Sequence, residues 1–336
     1  MTQEKIAQYF DNLTAITTDF SKDVDMNFTD ALVEILEDIN DGSVHVDANK
    51  PNSVIVEQIQ TLTQSLRQDK LSADDLRKLL QLVTLKVHRE DKVPANSQIT
   101  PDGIGYLLSD FLLQTAALKT GDTLIDFNVG TGNLLNTVNN LLVDNGITVA
   151  RIGIDNDSRQ LALASAVDGL INDRTTSFYE ADVVQLEDTP KAKVVIADLP
   201  VGYYPMAAPS YYATQLANGQ SMVHQLLIEK SLDFLTPDGW AYLLVPADVL
   251  SGTDSKKLLG MLTAKAQIKA FLQLPNNFFQ NQSAAKAILV IRKKQAENTG
   301  DILMGQYPPL KDVDNLKKIL QDIKAWVKLD REKNEA

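Results

Sequence analysis

TLIDFNVGTGNLL, residues 123–135, holds a short β-branched run, a turn with two glycines and the opening of a helix. Thr123–Phe127 is too short for a helix, and Gly130 and Gly132 punctuate the chain before Leu134 and Leu135 begin an amphipathic pattern. In open α/β sheets ligands bind beyond the carboxyl ends of such strands. Glycine at 130 and 132 lets the backbone approach a ligand where a side chain would collide. A G-x-G turn alone serves structure about as often as binding. Leu135 stands where the dinucleotide fingerprint puts its third glycine, and no G-x-x-x-x-G-K-[ST] occurs. Both departures argue against a pyrophosphate site, and Asp126 ahead of the glycines suits a cationic ligand better.

The same texture continues on both sides of this stretch. Short β-branched runs recur at Val149–Ile154, Thr176–Glu180, Lys193–Ala197, Trp240–Val245, Ile268–Leu274 and Ala287–Ile291. Helical patterns fall between most of them, at Leu134–Val143, Ser158–Asn172 and Ser221–Leu235. Alternation of this kind predicts an α/β fold with a doubly wound, mainly parallel sheet of seven strands. The last two runs lack an intervening helix, which predicts an antiparallel pairing at that edge.

Residues 1–95 read differently, as an all-α N-terminal domain. Leu32, Ile35, Leu36 and Ile39 share one helical face, and Leu76, Leu79, Leu80, Val83 and Val87 share another. Ser72-Ala-Asp-Asp75 resembles a capping box at the start of the second. The boundary falls near Asp91-Lys-Val-Pro-Ala-Asn, followed by a catalytic-type α/β domain over 96–295. Residues 296–336 form a tail with one amphipathic helix through Leu316, Ile319, Leu320, Ile323 and Val327.

Composition narrows the function classes. The chain of 336 residues has 44% hydrophobic and 23% charged residues, ordinary for a soluble globular protein. No run approaches the ~18 apolar residues of a membrane helix, and MTQEKIAQYFDN lacks an apolar signal region. A cytoplasmic location without membrane partners is expected. With no cysteine, disulfides, thiolate metal sites and cysteine nucleophiles are excluded. His45, His88 and His224 show no metal-binding spacing, so no metal is expected. The net charge of −12 has the wrong sign for a protein that grips nucleic acid over its whole surface.

Acids end the successive strands. GIDND places Asp155 at 23 positions after Gly132, close to the spacing of an acid that hydrogen-bonds ribose hydroxyls. The other reading of this segment is a helix cap, a role that Asp157 fits better than Asp155. YEAD gives Asp182 at the equivalent height, and ADLPVGYYP, residues 197–205, gives Asp198. Asp126, Asp155 and Asp182, acids at the ends of three successive strands beside one glycine turn, point to a site.

In this order the motifs resemble class I S-adenosylmethionine-dependent methyltransferases, specifically those that modify adenine N6. The chain looks most like the modification subunit of type I restriction systems and small stand-alone bacterial relatives, over roughly residues 97–293. ITPDGIGYLLSDFL, residues 99–112, resembles the segment that touches the methionine moiety, which implies Thr100 and Pro101 as cofactor contacts. DFNVGTGNLL resembles D-P-A-C-G-T-G-x-x-L, implying Asp126, Asn128, Gly130, Gly132 and Asn133. GIDND supplies Asp155 and Asn156 for the ribose, and Asp182 matches the position beside the cofactor adenine. DLPVG, residues 198–202, aligns with the catalytic N/D-P-P-Y/F-G, and the later LTPDGWAYLLVPADVL and LPNNFF stretches follow in family order.

The resemblance implies S-adenosyl-L-methionine as cofactor and direct methyl transfer to an exocyclic amine, as in adenine-N6 methylation of DNA. Asp198 and the Leu199 carbonyl would accept the amine's hydrogen bonds, Pro200 would shape the loop, and Asp198 would also border the cofactor. Val201 replaces the family's stacking aromatic, so Tyr203 or Tyr204 is the expected substitute, with Phe278 or Phe279 as a second choice. Beyond residue 293 only about forty residues remain, below the usual size of an independent domain. Target recognition is therefore expected from a protein partner, with DNA or RNA as the nucleic-acid partner and a homodimer through the helical domain. Two alternatives stay open: an RNA or protein amine or amide as acceptor, and a non-catalytic cofactor-binding interaction protein.

Overall fold

A computed structural model describes residues 3–93, 99–216, 219–252, 255–279, 284–294 and 300–335. Four helices lead: α1 (Gln3–Val24), α2 (Phe28–Asp41), α3 (Ser53–Asp69) and α4 (Ala73–Glu90). Their starts are written into the chain. The Asn27 side chain accepts from Asp30 N, Asn52 from Val54 N and Ile55 N, and Ser72 from Asp75 N. Each cap satisfies donors that the first helical turn leaves open. Asp91, just past α4, accepts from Phe28 N at 3.0 Å and Thr29 N at 2.7 Å, tying the end of the region back to the start of α2.

The α/β layer contains β1 (Thr123–Asp126), β2 (Ala150–Asp155), β3 (Thr176–Glu180), β4 (Ala192–Asp198), β5 (Leu235–Pro246), β6 (Ala266–Gln273), β7 (Lys286–Lys293) and β8 (Leu303–Gln306). Its helices are α5 (Asp102–Thr115), α6 (Asn133–Asp144), α7 (Ser158–Asn172), α8 (Val223–Phe234), α9 (Ser255–Lys265) and α10 (Val313–Glu335). The strand order is β3-β2-β1-β4-β5-β7-β6-β8. β7 lies antiparallel between β5 and β6; the other neighbours pair in parallel. Val194, Val195, Ile196 and Ala197 of β4 are all fully buried because both faces of the sheet are covered. One face packs against α8, α9 and the loop after β4. The other packs against α5, α6 and α10.

The sheet has eight strands where seven were expected. The additional strand, β8, runs parallel to β6 with Ala270 opposite Leu303 and Gln273 opposite Gln306. Its four residues include Gly305 and the exposed Met304, so no apolar alternation announces it. The antiparallel pairing of the last two predicted runs is present, but β8 moves the edge one strand outward. The tail thus does more than add a helix. On α10, Ile323 and Val327 are buried, Trp326 stacks on Phe111 at 6.0 Å, and Asp330 pairs with the buried Lys269 of β6 at 2.5 Å.

The helical region shares its core with this layer. Leu32, Ile35 and Leu36 of α2 cluster with Leu163, Ala166 and Val167 of α7. Asn40 donates to the Ala166 carbonyl at 2.9 Å. Burying such a side chain is worth about 1.5–3 kcal/mol, so the two parts are held as one body here. Among the described residues no helix is long and apolar enough to cross a membrane.

The strand order places a crevice at the carboxyl-end edge of the sheet. From β1 the chain winds outward to β2 and β3 on one side, while β4 and β5 lie on the other. Such a reversal opens a crevice beyond the carboxyl ends of β1 and β4. Asp126 and Asp198 are the last residues of those two strands.

Candidate active site

Asp126 ends β1 opposite Gly153 of β2 and Ile196 of β4, and only 1% of it is exposed. One carboxylate oxygen, Oδ1, accepts from Asn128 N at 3.2 Å. The other, Oδ2, is buried with no hydrogen-bond partner among the described residues. An unmade bond of this kind costs roughly 1–3 kcal/mol. Burial, reinforced by the charges of Asp155 and Asp198, pushes the Asp126 carboxyl well above the ordinary aspartate range. The same interactions show that the three acids face one small region.

Gly130 and Gly132 take φ of +51° and +80°. A Cβ on Gly130 would meet nothing within 4 Å. Backbone conformation, not crowding within the protein, selects glycine there, and the space above the turn is open. Gly132 is the N-cap of α6, so the turn delivers the chain directly into that helix.

Asp155 and Asp157 divide the two roles left open by the sequence. The Asp157 side chain accepts from Arg159 N and Gln160 N and caps α7. Asp155 accepts from Gly130 N at 2.8 Å and from Asp157 N at 3.1 Å, which fastens the end of β2 to the glycine turn. Burial raises its pKa against these hydrogen bonds. Each carboxylate oxygen retains further acceptor capacity. Asn156 is exposed beside it.

Asp198 ends β4. Its Oδ2 accepts from Thr100 Oγ1 at 2.8 Å, and its Oδ1 receives the ammonium of Lys286, the first residue of β7. The same ammonium reaches the Leu199 carbonyl at 3.4 Å. Asn128 Nδ2 donates to the Asp198 carbonyl at 2.9 Å, joining the glycine turn to this loop. The Leu199 side chain is fully buried, Pro200 is half-buried and Val201 is exposed. One nitrogen is therefore held by a carboxylate oxygen and by the next residue's carbonyl.

The two tyrosines behind that loop separate cleanly. Tyr204 is buried, and its hydroxyl donates to Asp182 Oδ2 at 2.5 Å while accepting from Gln185 Nε2 at 2.8 Å. Burial, then the Asp182 hydrogen bond, pushes its pKa up to about 12. Asp182 also accepts from Val184 N at 3.0 Å. Tyr203 is 62% exposed, with Val201, Met206 and Tyr211 also exposed along the same loop. Phe278 and Phe279 pack edge-to-face at 6.4 Å against the sheet core, and the Phe278 ring lies over Gly103 at the start of α5.

Thr100 and Pro101 are held from behind. Pro101 is the N-cap of α5, and the Thr100 carbonyl accepts from the buried Asn133 at 2.9 Å. Asn133 in turn accepts from Arg77 at 3.2 Å. Arg77 comes from α4, with its side chain 1% exposed, and forms two bonds to Asp102 at 2.8 and 2.9 Å. Burial opposes its charge, but the hydrogen bonds and charge of Asp102, with Asp74, keep its pKa raised. Among the described residues no group of three or more His, Cys, Asp or Glu could hold a metal ion.

The N-6 DNA methylase family profile matches residues 89–329, most of the chain. The chain belongs to the N6 DNA methylase family. It is 30% identical over 278 residues to the uncharacterised protein YtxK of Bacillus subtilis, covering 82% of this chain and 83% of that one. A candidate class I S-adenosylmethionine-dependent methyltransferase from Listeria monocytogenes superposes with a TM-score of 0.85 at 26% identity, over 97% of this chain and all of that one. The type I restriction-modification methyltransferase subunit of Streptococcus thermophilus shares the fold at a TM-score of 0.60 and 17% identity, over 87% of this chain and 73% of that one.

Within this N6 methylase fold, Asp126, Asn128, Gly130, Thr100, Asp155 and Asp198 are brought together by direct hydrogen bonds or mutual charge. Asp182 and Tyr204 form a separate pair nearby in the chain's next loops. Lys286 and Arg77 carried no signal in the sequence, since a lysine opening a strand and an arginine on an amphipathic helix are ordinary there. His224, in the first turn of α8, is also newly placed. It is buried with Nδ1 unpartnered among the described residues, and burial lowers its pKa to about 4.

Proposed function

We propose that this protein is an S-adenosylmethionine-dependent N-methyltransferase that acts on an exocyclic amine of the adenine type. The observation that carries this reading is the convergence of Asp198 Oδ1 and the Leu199 carbonyl on a single nitrogen, that of Lys286. That acceptor pair is what an amine with two N–H groups requires.

The residues present fit the cofactor. Asp126 offers an unpaired buried carboxylate oxygen for a cationic group, and Gly130 leaves open space over a turn of positive φ. In this reading Asp126, Asn128, Gly130, Gly132 and Asn133 hold the amino-acid end together with Thr100 and Pro101. Asp155 and Asn156 hold the ribose, and Asp182 borders the base. When bound, S-adenosylmethionine supplies a methyl group on a positively charged sulfur.

The protein's own part is mainly positioning. An aromatic amine donates its lone pair into its ring and is a weak nucleophile. Accepting its two N–H groups at Asp198 and Leu199 draws the nitrogen toward a geometry with a free lone pair. Pro200 restricts the loop that presents this pair, and Asp198 is the nearest base for the proton released. Orientation and fixed charges supply most of the rate gain, with no covalent enzyme intermediate. Because no cysteine exists, C5 methylation of cytosine through a thiolate is excluded.

Tyr203 is the stacking ring in this account, because Tyr204 is committed to the core and to Asp182. We assign residues 1–95 to a helical domain, 96–295 to the transferase domain and 296–336 to a tail that completes its sheet. Target recognition comes from a protein partner, since the net charge of −12 disfavours unaided grip on a nucleic acid. The same charge favours a second reading, in which the acceptor is an amine or amide of a protein.

The test is incubation with tritiated cofactor and separated DNA, RNA and protein fractions from cells lacking the gene. Label in N6-methyladenine of DNA is expected. Label confined to protein transfers the assignment to the second reading, and label in no fraction contradicts transferase activity.

A further inference from the structure

Lys286 takes no part in the reaction just described, yet it occupies the centre of the site. Its ammonium donates to Asp198 Oδ1 and lies 3.4 Å from the Leu199 carbonyl. These are the two acceptors assigned above to the substrate amine. The side chain is neither deeply buried nor free: 22% of it is exposed, beside 19% for Asp198. Its backbone is fixed as the first residue of β7, opposite Pro246 of β5, and its carbonyl accepts from Leu274 N at 3.0 Å. The strand thus holds the Cα in place while four rotatable bonds remain in the side chain.

We infer that the Lys286 ammonium is a built-in placeholder for the acceptor nitrogen, which an incoming amine must displace, so that Lys286 sets which acceptors gain entry. This rests on the methyltransferase reading of the Asp198 loop. Two features of the surroundings support it. Thr100 already holds Asp198 Oδ2, so Oδ1 is the oxygen left for an acceptor, and Lys286 takes that one. His224 lies within electrostatic range of Lys286 and of Asp248, and burial keeps it neutral, so it offers the ammonium no counter-charge. Lys286 is paired with Asp198, and an amine that takes its place leaves the ammonium without that anion. Acceptors that bring an anionic group within reach of this lysine satisfy it, whereas neutral free amines do not.

A placeholder differs from a merely structural ion pair in what its removal does. Losing a structural pair leaves ligand selectivity unchanged, while losing a competitor strengthens ligands that place an amine against Asp198. Sinefungin, a cofactor analogue with a primary amine where the cofactor carries its methyl-bearing sulfur, is such a ligand. S-adenosylhomocysteine, which lacks that amine, is the control. Calorimetric titration of both into the full-length protein and into Lys286→Met and Lys286→Gln separates the cases without any acceptor being known.

The expected result is an increase of about tenfold in the preference for sinefungin over S-adenosylhomocysteine in both variants, with S-adenosylhomocysteine affinity unchanged. An unchanged or reduced preference, with S-adenosylhomocysteine still bound, overturns the inference. Failure of the wild-type protein to bind S-adenosylhomocysteine overturns instead the methyltransferase reading beneath it. Mass spectrometry of wild-type protein incubated with S-adenosylmethionine adds an independent check. Methylation of Lys286 itself would make it an acceptor and end its role as placeholder; an unmodified Lys286 is expected.

Discussion

The ends of β1 and β4 lie side by side, yet their polar groups are in opposite conditions. At β1, Asp126 is almost wholly buried with Oδ2 unpaired among the described residues, beside a glycine turn with open space over Gly130. At β4, every acceptor is engaged: Asp198 by Thr100 and Lys286, its carbonyl by Asn128, and the Leu199 carbonyl by Lys286. One end carries an electrostatic cost that a cationic ligand would relieve. The other has relieved its own cost internally. Under the proposed function, the β1 side of the crevice is preorganised for the cofactor, while the β4 side must exchange partners before it can take an acceptor.

Five substitutions probe that contrast. The largest effect is expected from Asp198→Ala. Methyl transfer should fall by roughly a hundredfold or more, the scale of losing a group that orients charge in a transition state, with cofactor binding retained in calorimetry. Next is Arg77→Ala. It removes a side chain that is 1% exposed and bonded to Asp102 and Asn133, so it leaves the support behind Thr100 unpaired. Breaking such a buried pair costs about 3–5 kcal/mol, readable by urea unfolding.

Asp126→Asn should act through pH. The folded Asp126 carboxyl titrates above its ordinary value of 3.8 because burial disfavours its charge. From that value upward the folded state holds a proton that the unfolded state has released, so stability declines as pH rises through the window. Asparagine removes the titration. The wild-type melting temperature should therefore fall relative to the variant as pH rises above about 4; parallel curves would contradict the assignment. The smallest effects come from the tyrosines. Tyr204→Phe loses its bond to Asp182 and should cost about 1 kcal/mol of stability. Tyr203→Ala should leave the melting temperature unchanged and raise the acceptor KM.

The fold was legible because its signals are local. Seven strands, the Ser72 cap and the Asp157 cap follow from apolar runs and from side chains that bond the backbone two or three residues on. β8 was not legible, since its four residues include Gly305 and gain their order from β6. In the site, Asp126, Asp155 and Asp198 stood out because each ends a strand just before a turn. What their carboxylates bind did not, because Lys286 lies 88 positions from Asp198 and Arg77 lies 56 from Asn133. Only topology joins such pairs. The tyrosine pair shows the same limit: adjacent residues 203 and 204 point to opposite environments, one exposed and one bonded to Asp182.

The contrast between the two strand ends is tested most directly by one titration of S-adenosylhomocysteine into wild-type protein, Asp155→Ala and Asp198→Ala. Asp155 braces the glycine turn through Gly130 N, whereas Asp198 is bonded to Lys286 in the loop proposed to hold the acceptor. Saturable one-to-one binding is expected, weakened about tenfold or more by Asp155→Ala, a loss of roughly 1.4 kcal/mol, and nearly unchanged by Asp198→Ala. No binding by the wild-type protein, or an equal loss in both variants, would contradict a cofactor site at β1 that is built independently of the loop after β4.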